Sequence, residues 1–391
     1  MCADIVFIGG GPVGLWTAIQ TKKNNPGLAI TVYERHETYQ RSHVLRLQHA
    51  SLLLWAKTNN DEAEAAFFEE VTGNKDLRQV FARSAMAGAV YVATNDLENA
   101  LKDYAAKLGI KIVYRKIESP DEAEKLHPEC RLFVAADGAR SKMREAIFGA
   151  DALDETTLQR VVEMKYKADG KAGTLGKRGI LKTAKIVNSQ IFEYVGREKN
   201  GATPVTLRFF VDAETYDKMP QATFKDPLAH DDPRLPPSLA EDIATYMAVR
   251  REKADERYQP GSGKLSKLTL SVYRAKKFAA KRGDAAWFLA GDAAMGVPYF
   301  RSLNAGMIIG SQLGGILAQD LLPRTGKVRA YNLLRPADTT LEFMGAKGKN
   351  TGIKALDAFR KIDGKNPASL LKWSSRDRVR FRKRPDSGPD N

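Results

Sequence analysis

Apolar and polar positions change period twice within the first forty residues. Ile5–Ile8 is an unbroken apolar run, glycines follow, and spacing to about Ile19 becomes helical, so the pattern predicts strand, glycine turn and helix. A second apolar run at 28–33 predicts the next strand. In 95–107, Leu97, Leu101, Tyr104 and Ala105, with Leu108 beyond, recur at three- and four-residue spacing, which predicts an amphipathic helix. Gly109 ends it, a strand is expected at 110–114, and 131–136 (RLFVAA) is another short strand running into Asp137 and Gly138. Alternating strands and helices predict a parallel α/β layer.

The middle of the chain has a different rhythm. Between about 160 and 211 the segments VVEMKYKA, AKIVNSQIFEYV and PVTLRFFV carry β-branched and aromatic residues in rough alternation. That predicts a mainly antiparallel sheet, inserted into the first layer as a second module. A Pro-rich loop at 220–237, a helix at 238–254 and a strand at 268–273 follow, and 286–290 returns to the α/β layer. The expected division is 1–150, 151–275, 276–325 as the return of the first domain, and 326–391 as a helical C-terminal segment. The long apolar stretch 302–322 is interrupted by Gln312, Gln319 and Asp320, and Gly306, Gly310 and Gly314 recur every fourth residue. This ridge reads as a buried core helix approaching other backbone closely, not as a membrane span.

Composition narrows the function classes. With 391 residues and 43% hydrophobic residues the chain can bury a sizeable core. Cys2 and Cys130 make no disulfide framework and the five histidines show no metal-ligand spacing, so no metal is expected. Few cysteines and no basic leader before the first apolar run fit a reducing, cytoplasmic setting. The net charge is +15, with a dense run at Lys372, Arg376, Arg378, Arg380, Arg382, Lys383 and Arg384. A solvated tail and an acidic partner (a protein surface, a nucleic acid or an anionic membrane) both fit such a run, and charge alone does not separate them.

The chemistry-bearing motifs sit at predicted strand ends. Gly9, Gly11 and Gly14 satisfy GxGxxG between strand and helix, with Pro12 and Val13 opening the helix. Gly9 permits a sharp turn, Gly11 a close approach to a pyrophosphate, and Gly14 close packing of helix on strand. Glu34, about twenty residues on, is placed to accept a hydrogen bond from a ribose hydroxyl. Asp137-Gly138 and Gly291-Asp292 end two further strands, the latter followed by Pro298 and Asn304. An Asp just past a strand end can reach a polyol, and the adjacent Gly leaves room for it.

In this order and spacing, over residues 1 to about 325, the set resembles the para-hydroxybenzoate-hydroxylase-type (class A) flavoprotein monooxygenases. The resemblance implies a Rossmann-like FAD-binding domain with an inserted substrate domain, and FAD with NAD(P)H as co-substrate. It further implies oxygen transfer through a flavin C4a-hydroperoxide. Gly9–Gly14 and Glu34 would hold the ADP part, and Asp137-Gly138 would serve both FAD and NAD(P)H. Asp292 would hold the ribityl chain, and the Asn304, Ala305 and Gly306 amides would face the flavin ring. Residues 39–47 (YQRSHVLRL) resemble the arginine-bearing segment of the MICAL flavin monooxygenases, with Arg41 as the motif arginine, and Arg35, Arg41 and Arg46 are expected among the cofactor-binding residues. The chain departs from the family at Thr94, where an arginine is usual, and in 298–304, which is shorter and lacks the usual glycines. Tyr299, Phe300 and Arg301 are the residues expected beside the ring. A second GxGxxG is missing, so a separate nicotinamide domain is not expected. The expected function is an FAD-dependent monooxygenase acting on a small molecule, or on an acidic protein surface if the MICAL likeness extends to the substrate, with nucleic acid the weaker reading. The alternatives are a flavin reductase or oxidase and a flavin-binding interaction protein.

Overall fold

A computed structural model of the chain describes residues 3–38, 44–83, 88–175, 187, 189–196, 198–297 and 301–335. Among these, residues up to Thr156 and from Ser271 onward form one compact unit, and Thr157–Leu270 forms another. The division falls inside two long strands, β7 and β11 below.

The first unit opens with β1 (Ile5–Ile8), α1 (Pro12–Asn24) and β2 (Ile30–Glu34). A hairpin of β3 (Val44–Gln48) and β4 (Ala89–Ala93) encloses the helices α2 (His49–Leu53), α3 (Glu62–Thr72) and α4 (Leu77–Arg83). Then come α5 (Thr94–Lys107), β5 (Lys111–Tyr114), α6 (Pro120–Leu126), β6 (Leu132–Ala135) and α7 (Lys142–Phe148). The sheet order is β12-β13-β6-β1-β2-β5, where β12 is Ala279–Arg282 and β13 is Ala285–Leu289. All neighbours are parallel except β12 with β13. β1 and β13 are buried along their whole length, which is why they read as continuous apolar runs without alternation. In register, Ile8 lies beside Tyr33 and Ala135, and Ala135 beside Leu289, so four strands end level at one edge.

The second unit is an antiparallel sheet ordered β10-β11-β7-β9-β8. It comprises β7 (Leu153–Asp169), β8 (Gln190–Val195), β9 (Ala202–Val211), β10 (Leu228–Ala229) and β11 (Lys264–Ala275), with α8 (Ala213–Lys218) and α9 (Pro237–Ala254). Alternate residues Val162, Met164 and Tyr166 of β7 and Val205, Leu207 and Phe209 of β9 share a core with Leu239, Ile243 and Tyr246 of α9. Arg250 is fully buried there between the carboxylates of Glu193 and Glu256. Removing one member would strand a buried charge.

The expected α/β layer and the antiparallel module are both present. The hairpin β3–β4 and helices α2–α4 were not anticipated, because short elements carry too few periods to register. Local signals were there for α3: Asp61 caps it by accepting from the Glu64 amide at 2.7 Å, and Gly73 closes it at φ +74°.

After β14 (Met295–Gly296) the chain enters α9's successor α10 (Arg301–Leu317), somewhat shorter than the apolar stretch 302–322. No helix among the described residues is long and apolar enough to cross a membrane. The glycine ridge faces α1. A Cβ on Gly306 would lie 2.7 Å from Val13 Cγ2, one on Gly310 2.5 Å from Thr17 Oγ1, and one on Gly314 2.9 Å from the Thr21 amide nitrogen. Contacts that rise together along both helices mean the two run parallel. Trp16 fastens them, its indole N–H reaching the Met307 carbonyl and the Ser311 hydroxyl.

The ridge gives a paired prediction. Gly314→Ala should destabilise the protein by about 1–3 kcal/mol, because the obstruction includes backbone that cannot step aside. Gly315→Ala, with nothing within 4 Å of its Cβ, should gain about 0.5–1 kcal/mol from helix propensity. Denaturant unfolding of both variants measures this, and equal shifts would contradict the packing described.

Candidate functional site

The level edge of the sheet gathers the motif residues. Gly9 leaves β1 at φ +110°, where a side chain is strained, and a Cβ there would sit 2.3 Å from the Ala136 carbonyl oxygen. A Cβ on Gly14 would lie 2.3 Å from the Gly9 oxygen, so both glycines are fixed by crowding between the first loop and the end of β6. Gly11 is different: a Cβ there meets nothing within 4 Å. Its lack of a side chain serves no contact inside the protein, and it borders open space at the start of α1. Pro12 takes the first helical position, where a missing N–H costs nothing.

The third loop closes on the same place. Gly291, at φ +58°, would put a Cβ 3.1 Å from Val13 Cβ, so the Gly291-Asp292 turn lies against the first turn of α1. Asp292 is half-buried in a short 3-10 turn. Neither α1 nor α10 has an acidic residue in its first turn, and α1 has no side-chain cap. Two parallel helices thus present their positive ends side by side at one sheet edge, an arrangement suited to anionic groups.

Glu34 ends β2 as expected. Its Oε2 accepts from the Gly10 amide at 2.8 Å and its Oε1 from the His36 amide at 3.0 Å. The carboxylate is therefore fixed on the glycine loop by backbone donors. Arg35 follows it, exposed, and Arg46 is exposed on β3.

Asp137 and Gly138 follow β6, but the Asp137 carboxylate is engaged within its own loop. It accepts from the Ser141 hydroxyl and, at 3.3 Å, from the Met143 amide, so it ties down the start of α7. Two residues that the sequence did not single out join the loops. Buried Arg144 donates to the Ala139 carbonyl at 3.0 Å and to the Ala293 carbonyl at 2.9 Å, linking the Asp-Gly and Gly-Asp segments. Its guanidinium also lies over the Tyr273 ring, 5.9 Å from the centroid. Tyr273 donates its hydroxyl to the Asp292 carbonyl at 2.9 Å, and burial raises its pKa well above the usual phenol range, so it remains a donor. Arg144 lies seven residues past Asp137, a spacing that signals nothing until α7 folds back.

One expectation requires correction. The amides expected to face a ring were those of Asn304, Ala305 and Gly306. The helix begins at Arg301, so the N–H groups left without intrahelical partners are those of its first three residues, and from Asn304 onward they point back into the helix. The Asn304 side chain has a separate task. Its Oδ1 accepts from the Gln48 amide and the Ser51 hydroxyl, both at 2.8 Å, and its Nδ2 donates to the Arg46 carbonyl at 2.8 Å. It fastens α10 to β3 and α2. His49, which opens α2, is buried, and burial lowers its pKa and favours the neutral ring.

Arg41, His43, Pro298, Tyr299 and Phe300, together with the basic run at 372–384, lie outside the described residues. For Arg301 only the backbone is described. A separate concavity of about 450 Å³ opens at the opposite sheet edge, lined by Glu124, His127, Arg131 and Arg282 among others. Arg282 is paired with Glu124 and Asp121, and Arg131 donates to the carbonyls of Pro128 and Cys130, so its cations are already committed. The motif residues lie at the other edge.

No family model and no curated relative matches the chain. Solved structures do. The anhydrotetracycline hydroxylase OxyS from Streptomyces rimosus matches at TM-score 0.58 and 18% identity, over 93% of this chain and 72% of its own. CtdE, solved with FAD and a substrate, matches at TM-score 0.52 and 14% identity over 88% of each chain. The chain has the fold of the class A flavoprotein monooxygenases. The Diels-Alderase PyrE3 shares that fold at TM-score 0.54 and 16% identity, over 92% of this chain and 77% of its own. The fold therefore does not dictate one reaction. These matches carry no information on the MICAL-like segment.

Arg144→Met keeps most of the side-chain volume and leaves the buried Ala293 carbonyl, and the more exposed Ala139 carbonyl, without their donor. Unfolding stability should fall by about 1–3 kcal/mol, and amide exchange across 290–296 should accelerate. Unchanged exchange there would show that the Gly-Asp turn is held by other contacts.

Proposed function

We propose that the chain binds FAD at this edge and is an NAD(P)H-dependent monooxygenase acting on a small molecule. The observation that carries the reading is the pair of parallel helix N-termini meeting three glycine-bearing strand-end loops, with Gly11 facing open space. The residues fit the cofactor. A pyrophosphate suits the start of α1, where N–H groups and the helix dipole are uncompensated by acidic side chains. Glu34, immobilised by two backbone donors, keeps further lone pairs for ribose hydroxyls. Asp292 is positioned for the ribityl hydroxyls, its backbone held by Tyr273. Asp137 and Gly138 act through backbone and loop shape, since the carboxylate anchors α7.

When bound, FAD supplies the redox chemistry, accepting reducing equivalents from NAD(P)H and delivering one atom of O2 to the substrate. The protein's part is orientation and electrostatics. The first-turn amides of α10, Arg301 to Leu303, offer positive potential to negative charge that develops on the pyrimidine edge of a reduced flavin. Asn304 keeps that turn in place through its bonds to β3 and α2. Tyr299, Phe300 and Arg301 are proposed beside the ring. A cytoplasmic setting accords with the scarcity of cysteine in the sequence, Cys2 and Cys130 alone.

Gly11→Val provides the test. The protein has room for the added side chain, so stability should change by less than about 1 kcal/mol, whereas FAD affinity should fall about 100-fold or more because the valine occupies cofactor space. The unsubstituted protein should be yellow with FAD and oxidise NAD(P)H faster when a suitable aromatic substrate is added. A colourless wild type, or Gly11→Val binding FAD normally, would refute the site. FAD binding without stimulated NAD(P)H oxidation across a broad panel would point to chemistry without oxygen transfer, as the likeness to a Diels-Alderase allows.

A further inference from the structure

The hairpin of β3 and β4 buries one face and leaves the other open. Leu47 and Val92 are buried, while Arg46, Gln48 and Tyr91 are exposed. The antiparallel register sets Arg46 directly opposite Tyr91. Their side chains therefore rise from the same face, with Cβ atoms about 4.5–5.5 Å apart. Tyr91 is 71% exposed. A single exposed tyrosine is ordinary, but its surroundings here are specific. Its same-face neighbours along β4, two residues to either side, are Ala89 and Ala93. Alanines there leave the ring without a bulky flank on its own strand. Gln48 stands across from Ala89 and adds an amide to the same face.

This face is also held in a fixed place. Asn304, in the second turn of α10, accepts from the Gln48 amide and donates to the Arg46 carbonyl, both at 2.8 Å. The open ribbon is thus fastened beside the positive end of α10. An exposed ring with small neighbours suits stacking of a planar base, and a guanidinium beside it suits phosphate oxygens by charge and by paired donors. The long arginine side chain carries its charge past the ring, so a base and its own phosphate can engage both at once. The start of α1 and Glu34 already serve the FAD adenylate. The sequence has no second GxGxxG, so a second dinucleotide has no glycine loop of its own and needs a surface such as this.

We propose that Tyr91 stacks on the adenine of the nicotinamide co-substrate and that Arg46 holds one of its phosphates on this hairpin face. The proposal rests on the monooxygenase reading and adds Tyr91, a residue that no motif marks.

Tyr91→Ala, Tyr91→Phe and Arg46→Met test it on the full FAD-loaded chain, once thermal unfolding has verified that each folds. ADP-ribose and its 2′-phosphate carry the adenylate but cannot reduce a flavin, and calorimetry measures their binding. Tyr91→Ala should weaken both about tenfold, and Tyr91→Phe, which keeps the ring, should stay within about threefold of wild type. FAD affinity of both Tyr91 variants should stay within about twofold of wild type. Arg46→Met should weaken both ligands about tenfold if the arginine holds the pyrophosphate, and only the 2′-phosphate form if it holds that group. Wild-type affinity for both ligands in Tyr91→Ala overturns the proposal. So does an equal loss of FAD affinity in that variant, which places the ring in the FAD site, and so does normal binding of both ligands by Arg46→Met. A wild type that binds FAD but neither ADP-ribose ligand refutes the hairpin site alone. A chain that binds no FAD fails at the earlier reading and takes this one with it.

Discussion

The close parallel packing of α1 on α10 is the constraint on which the site depends. Three glycines at four-residue spacing let the helix backbones approach until Val13, Thr17 and Thr21 nearly touch them. Because the helices run in the same direction, their positive ends emerge together at the edge where β1, β2, β6 and β13 stop. Antiparallel packing would place one helix C-terminus there and cancel much of the positive potential at that edge.

Around that pair the loops are held by crowding and by a few buried polar contacts. Gly9 and Gly14 lock the first loop against Ala136, and Gly291 seats the third against Val13. Arg144 and Tyr273 then hold the second and third loops at fixed separation without reaching for a ligand themselves. This separates residues that shape the edge from residues whose surfaces remain available. Asp137 belongs to the first group, since its carboxylate anchors α7, and Gly11 belongs to the second. A motif position therefore does not by itself reveal whether its side chain or its backbone does the work.

The antiparallel unit has its own logic. One face of its sheet packs on α9 around an apolar core that also encloses Arg250 with two carboxylates and two tyrosine hydroxyls. Every member there has partners, which is the condition under which buried ions are tolerated.

By itself the sequence determined the alternating layer, the inserted antiparallel sheet, the glycine loop with Glu34 and the close-packing role of Gly306, Gly310 and Gly314. Each of these is written in local spacing: the period of apolar residues, a glycine where a side chain would collide, an acid at a strand end. Only the tertiary structure decided that α10 starts at Arg301 and so displaces the free amides from Asn304. It alone brought Arg144 to Ala293 and Asn304 to Gln48, and buried Glu98 against Lys102. Those facts depend on contacts between residues about 150 to 250 positions apart, or on whether a buried atom finds a partner. Spacing along a chain records which surface a residue faces, and the fold alone records what lies across from it.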